Sequence, residues 1–347
     1  MSRRARLAAL VAVIVVVTVG AGGYVLRERA RQQAAAAGAP AAATVEPAAL
    51  AGRPSLVFRN TAAGAGYGRV AVVALDDPDG PRAFTPAECE RVYAVAGAAV
   101  CLAADRGLTT TYRAQLLGPD WTPVRNLPLN GLPSRARLSR DGSLVATTTF
   151  VHGHGYADPG QFSTETLVSR ADGTPVGNIE EFTLLVSGRP VNRADKNLWG
   201  VTFVDGDQFY ATAASGGTTW LVRGSLAQRR LTALRQDAEC PSLSPDGTRV
   251  AFKKHGDLPP GQWRLAVHDL RTGAETVLAE TRSVDDQVEW LDDDRIVYGL
   301  PRGGSAVATS DVWAVPADGG GQPRLLVPDA WSPAVLRAGQ GEEGSTP

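Results

Sequence analysis

An acidic turn set between two short apolar segments recurs along this chain, and few folds admit that pattern. The clearest copy is Cys240–Lys254, CPSLSPDGTRVAFKK, where Ser244-Pro245-Asp246-Gly247 parts Leu243 from Val250-Ala251-Phe252. Gly tolerates a positive φ and Asp hydrogen-bonds its own backbone, so an Asp-Gly pair between such segments predicts a β-hairpin. The plan returns in Arg135–Phe150, Trp199–Ser215 and Val288–Gly299, with turns at Asp141-Gly142, Asp205-Gly206 and Asp293. Successive turns lie about 40 to 65 residues apart, the range of a propeller blade with one enlarged repeat.

A blade has four strands, so two more should follow each hairpin. Third strands are expected at 68–75, 111–117, 164–170, 219–224, 262–270 and 311–316. Fourth strands are expected at 82–85, 124–129, 176–179, 230–234, 275–278 and 324–327. Six sets predict an all-β, six-bladed β-propeller over residues 54–337. Its first repeat lacks an inner strand, because Ser55–Asn60 reads as a second strand. Asp329–Leu336 echoes Asp237–Leu243, which opens the fifth blade. The C-terminal strand near Pro333–Leu336 should therefore pair with Ser55–Asn60 and complete the first blade, leaving no open edge in the ring. Trp220, Trp263 and Trp313 fall at similar places in their third strands, with Tyr112 close by. They are expected to fill the space between neighbouring blades.

At Ser244–Gly247 above all, the chain resembles the WD40-like "PD40" repeat of TolB-type β-propellers, named for this Ser-Pro-Asp-Gly turn. The resemblance extends from about Ser55 to Leu336. It implies protein–protein interaction at the bacterial cell envelope. An anchor and linker stand where TolB proteins carry an N-terminal α/β domain, which sets the chain apart from the Tol assembly.

Ahead of the repeats, a basic tail (residues 1–6) precedes the uncharged segment Leu7–Leu26, which Arg27-Glu28-Arg29-Ala30-Arg31 closes. About 20 apolar residues match the hydrocarbon thickness of a bilayer, so a transmembrane helix is expected. A retained anchor fits that length better than a cleaved signal, although the Ala-rich tract Ala34–Ala43 could hold a cleavage site. The short basic tail makes N-inside the simpler topology. The propeller would then face outside the cytoplasm on a single-pass bacterial membrane protein, or be secreted if the segment is removed. Residues 27–53 read as an Ala/Pro-rich linker, with continued helix as the alternative until Pro40. Residues 338–347 read as a disordered tail.

Composition removes some function classes. The formal net charge is −1 and the two signs are interspersed, so no basic face for nucleic acid is expected. At 44% hydrophobic residues, a chain of this length can bury a large core. No Gly-x-Ser-x-Gly elbow occurs. Gly64-Ala65-Gly66-Tyr67-Gly68 superficially resembles a phosphate loop, but it joins two strands and opens no helix, so it reads as a hairpin loop.

Three cysteines stand in a chain expected in an oxidising space. Cys89 falls at the start of a blade's first strand, as Cys240 does, and Cys101 lies where that hairpin returns. Antiparallel partners bring Cβ atoms to roughly 4.5–5.5 Å, so a Cys89–Cys101 disulfide is expected, with Cys240 a buried free thiol. Three buried reduced cysteines are the alternative. His152 and His154, with Asp158, could supply three metal ligands in an insertion of the third blade, or simply mark a glycine-rich hairpin tip. Acidic runs such as Asp76–Gly80 and Asp292-Asp293-Asp294 miss the spacing of a calcium loop and read as solvated corners.

These readings lead to a non-catalytic, monomeric extracytoplasmic propeller that needs no cofactor and presents its loops and central funnel to a protein or cell-envelope ligand. The alternative is a propeller enzyme, of lyase, glycosidase or cyclotransferase type, with its site in the funnel. Several His, Asp, Glu or Arg converging in the funnel would favour chemistry. The first strands are expected to offer mainly Ser, Val, Leu and Trp.

Overall fold

In the computed structural model, residues 3–38, 42–107, 109–151, 163–303 and 308–337 are described. Six β-sheets form there, each built from successive antiparallel strands running outward from a central channel. Blade one consists of Ala330–Leu336, Ser55–Asn60, Arg69–Ala74 and Arg82–Glu88, from inner to outer strand. Blade two follows with Arg91–Val95, Ala98–Arg106, Thr110–Leu117 and Pro123–Leu127, and blade three with Leu132–Leu138, Leu144–Val151, Ser163–Arg170 and Pro175–Asn178. Blade four comprises Asn197–Phe203, Gln208–Ser215, Thr218–Ser225 and Arg230–Gln236. Glu239–Leu243, Arg249–Lys254, Arg264–Asp269 and Glu275–Val277 make blade five. Glu289–Trp290, Arg295–Arg302, Thr309–Pro316 and Arg324–Val327 make blade six.

The ring closes as the repeat pattern requires. Ala330–Leu336 pairs antiparallel with Ser55–Asn60, placing Leu56 opposite Val335 and Val57 opposite Ala334. The C-terminal strand thereby supplies the inner strand that the first repeat lacks.

Six apolar clusters hold the disc together, and each lies between two neighbouring blades. Val57, Val70 and Val72 of blade one, for example, meet Val92, Ala99 and Leu117 of blade two. Leu56 and Phe58 on the other face meet Val297 and Val312 of blade six. A strand covered on both faces has no solvent side, which is why Ser55–Asn60 and Asn197–Phe203 are buried throughout. Trp220 and Trp313 pack against such clusters, as expected of blade fillers. Trp263 does not join them and faces the channel mouth instead.

The N-terminal part departs from expectation. A helix forms over Arg3–Gly38, longer than the expected span and reaching well into the expected linker. The run of Ala34–Ala37 explains this, because Ala is the best helix former and the first Pro comes only at Pro40. The transmembrane reading of Leu7–Leu26 is not carried by the structure: among the described residues no helix is long and apolar enough to cross a membrane. Residues 44–50 of the linker are not free chain. Thr44–Val45 pairs parallel with Arg82–Ala83 at the outer edge of blade one, and a 3-10 turn follows at Pro47–Leu50.

The enlarged repeat also has a structural explanation. Between blades three and four, Thr183–Val186 adds in parallel to Arg230–Gln236, and Arg189–Pro190 pairs back on it. Blade four thus carries six strands.

Candidate functional site

The acidic turns do local structural work. In blade five, Asp246 accepts from Ser244 Oγ at 2.5 Å and from the Thr248 amide at 3.0 Å, and Gly247 takes a φ of +72°. Blade three repeats this with Asp141, Ser139 and Ser143, and Gly142 at +71°. Burial is the largest single influence and would raise both carboxylates, but the hydrogen bonds to the charged form together outweigh it and hold them below their ordinary range. Asp205 accepts from the amides of Asp207 and Gln208, with Gly206 beside it in open space. In blade six the position is shifted by one: Asp292, not Asp293, accepts from the Asp294 amide and pairs with Arg295. Asp293 reaches across to the Asp246 amide at 3.1 Å, linking two blades.

Cys89 and Cys101 form a disulfide with Cα atoms 5.4 Å apart. Cys89 lies just beyond the outer strand Arg82–Glu88 of blade one rather than inside blade two, and Val92 is the cross-strand partner of Cys101. The bond thus ties blade one's exit to blade two's second strand. Cys240 is buried and free. His152, His154 and Asp158 lie outside the described residues. Among the described residues no group of His, Cys, Asp and Glu is placed to hold a metal ion.

The inner strands do not offer the small and apolar lining expected of them. They bring Arg91, Arg135, Arg137, Glu239 and Glu289 to the channel, joined by Asp285, Asp286 and Gln287 from the segment ahead of blade six. Buried ion pairs plug the channel. Arg137 pairs with Glu289, both nearly inaccessible, and its guanidinium lies 4.3 Å from the Tyr93 ring centre. Burial pushes the Tyr93 hydroxyl above its ordinary pKa. Arg91 meets Asp286 at 2.9 Å and stacks on Trp331. Gln287 Nε2 donates to the carbonyls of Val201 and Pro241, pinning blades four and five. What remains inside are voids of about 30 and 20 Å³, room for little more than single waters.

One end of the channel opens into a bowl of about 950 Å³. It forms where the inner strands of blades two to five begin, and the Gly216–Thr219 and Pro260–Gly261 loops raise its wall. On the floor, Lys253 Nζ lies 2.6 Å and Arg135 Nη2 3.4 Å from Asp285 Oδ1. Burial first, then the neighbouring charge of Arg135, pulls the Arg91 pKa down against the pull of Asp286. Asp285 is held below its ordinary range: Lys253, Arg135 and Arg91 together outweigh the opposing effect of burial. On the wall, Glu239 accepts from Trp263 Nε1 at 3.2 Å and lies 3.0 Å from His255 Nε2. Lys253 Nζ sits 4.1 Å from the Trp263 ring centre, and the His255 ring tilts against that tryptophan at 5.1 Å.

A smaller recess of about 320 Å³ adjoins the bowl, sharing Thr164 and Arg193 with it. Its Glu180 accepts from Thr164 Oγ1 at 2.8 Å and from the Leu198 amide at 3.1 Å. Burial pushes this carboxyl up to about 7, beyond what the two hydrogen bonds and Lys196 pull back.

Sequence reasoning missed most of this site because its residues come from four blades and an irregular segment. The Arg-x-Arg of Arg135 and Arg137 was the available signal. Alternate residues on a strand share a face, so two arginines there must point the same way.

No protein-family model matches the chain and no curated protein matches it. Solved structures do. TolB from Acinetobacter baumannii is 16% identical with a TM-score of 0.58, the match covering 83% of this chain and 67% of that one. A puromycin-hydrolyzing peptidase of Mycobacterium tuberculosis is 16% identical with a TM-score of 0.49, over 79% of this chain but 43% of the peptidase. An oligogalacturonate lyase in complex with manganese is 13% identical with a TM-score of 0.45, over 72% of each chain. The chain spans less than half the length of the peptidase. At these identities the likeness is one of fold: a TolB-like six-bladed propeller.

Proposed function

We propose that this chain is a non-catalytic binding scaffold, TolB-like in role as in fold, which presents the bowl to a protein of the cell envelope. The convergence of His, Asp, Glu and Arg in the funnel would by itself favour chemistry; what carries the scaffold reading is that these charged groups on the bowl floor and wall are already engaged by one another. Asp286 is engaged by Arg91, Asp285 by Lys253 and Arg135, and Glu239 by His255 and Trp263. A general base or acid needs a pKa near the working pH and a free reach to substrate. On the floor the cations drive Asp285 the other way, as suits a charged recognition surface.

The same reading keeps Leu7–Leu26 as a membrane anchor, with the disc outside the cytoplasm and acting as a monomer. Fractionation tests the anchor: the full-length chain should sediment with membranes, and a soluble chain shortened to near Ala43 would refute it. A photo-crosslinking amino acid tests the scaffold. Placed at Thr218 on the bowl wall, it should capture an envelope protein in intact cells. Placed at Val124, exposed on the outer strand of blade two, it should not. Equal capture from both positions would overturn the bowl as the binding site.

A second reading rests on Glu180. A carboxyl pushed up to about 7 beside an open recess has the ordinary profile of a general acid or base. If the chain is an enzyme, Glu180→Gln should abolish turnover of its substrate with little change in binding.

A further inference from the structure

The ion pairs of the channel are not alike. In Arg137–Glu289 both side chains are nearly inaccessible, at 5% and 6% exposure, and in Arg91–Asp286 the acid is at 2%. At Lys253–Asp285 the cation is at 3% while the acid is at 63%. Arg135, the second partner of Asp285, is itself only 11% exposed. Two cations are therefore fixed in the floor, and the carboxylate between them comes from the solvent side. It sits on the segment between Glu275–Val277 and Glu289–Trp290, which belongs to no strand.

A buried cation needs an anion, but any carboxylate that reaches it will serve. Arg135 also has donor capacity to spare. Its Nη1 donates to the Ser134 carbonyl at 3.0 Å, its contact to Asp285 is long, and its Nε is buried with no hydrogen-bond acceptor. Arg91 adds a third cation within electrostatic reach of Arg135. The floor thus holds Arg91, Arg135 and Lys253 against Asp285 and Asp286.

Resting on the scaffold reading above, we infer that the bowl receives an acidic side chain from an extended segment of a partner protein, whose carboxylate takes the seat that Asp285 fills on Lys253 and Arg135. Asp285 is then an internal placeholder: it keeps the two cations paired in the empty disc and swings to solvent when the ligand arrives. The volume suits a short peptide, being at the upper end of the roughly 300–1,000 Å³ typical of ligand sites. The indole of Trp263 on the wall is not open to a sugar acid. Stacking a sugar ring needs a bare aromatic face, and Trp263 is engaged by Lys253 and His255.

Fluorescence anisotropy on the full chain in detergent tests this with a labelled peptide of alternating Gly and Glu, and an alternating Gly-Gln peptide as control. The acidic peptide should bind and the control should not. Asp285→Asn removes the competing carboxylate and should tighten binding about tenfold, equivalent to about 1.4 kcal/mol. Lys253→Met should weaken binding at least tenfold. Because Lys253 is buried and Asp285 neutralises buried cations, melting curves must first show both variants folded; Lys253→Arg, which keeps the charge and should keep binding, carries the test if Lys253→Met does not fold. Unchanged or weaker binding by Asp285→Asn would overturn the placeholder role. Binding of a uronic-acid oligosaccharide through Lys253 in place of the peptide would overturn the peptide occupant. Capture from Thr218 in cells, with no acidic peptide bound by either protein, would sink the carboxylate seat and leave the scaffold reading standing.

Discussion

Two buried groups set the expectations at the scale of single residues. Arg137 and Glu289 are both shut away from water, and Arg137 additionally donates to the Val288 carbonyl at 3.1 Å. Removing one partner leaves an uncompensated charge, so Arg137→Met should destabilise the protein by about 3–5 kcal/mol. The double change with Glu289→Gln should restore much of that loss, and denaturant unfolding of the two variants measures the difference. Glu180 bears on pH. Its carboxyl is pushed up from an ordinary 4.5 to about 7, so the folded state keeps a proton that the unfolded chain has released. Between those values folding binds protons, and this group's contribution to stability is present at low pH and falls as pH rises through the window. Replacing it by Gln should flatten that part of the profile of melting temperature against pH. Parallel profiles for the two proteins would show that the group is not buried as described.

Elements were legible to the extent that their signals are local. Ser244-Pro245-Asp246-Gly247 and Ser139-Arg140-Asp141-Gly142 announce their hairpins because the turn's hydrogen bonds are made by the turn's own residues. The disulfide was legible for the same reason: Cys89 and Cys101 belong to one chain reversal, a sequence separation of 12. A loop of that size should contribute about 2–3 kcal/mol, so changing both cysteines to Ser should lower stability by that amount. Unreduced peptide mapping should recover the two linked, with Cys240 alkylated only after denaturation; a Cys89–Cys240 link would contradict the blade register. The bowl was not legible because no element contains it. Lys253 lies on a second strand of blade five, Arg135 on the inner strand of blade three and Asp285 on an irregular segment, and only the ring brings them together. Trp263 was misassigned for a related reason: it directly precedes the strand Arg264–Asp269, where the chain is still at the bowl's wall.

Closure is the property that belongs to the whole molecule. The strand Ala330–Leu336 completes blade one, but its side chains also reach both neighbours. Ser332 Oγ donates to the Val92 carbonyl at 2.9 Å, and Trp331 lies under Arg91, so blade two depends on it. Arg337 donates to the Trp290 carbonyl and lies 3.8 Å from Glu289, so blade six depends on the residue just beyond it. Without the strand, Leu56 and Val57 lose Val335 and Ala334, two clusters open, and Ser55–Asn60 becomes an unpaired edge at the centre of the disc. A chain ending at Arg337 keeps every one of these contacts and should melt close to the full-length protein. Ending it at Pro328 removes all of them and should lower the melting temperature by well over the 2–4 °C that a loss of about 1 kcal/mol produces in a domain of 150–250 residues. The ring couples its blades, so the loss should spread rather than stay in blade one. Amides in Arg91–Val95 and Glu289–Trp290 should lose hydrogen-exchange protection together with those of Ser55–Asn60. Equal melting temperatures for the two shortened chains would mean that the ring does not need its last strand.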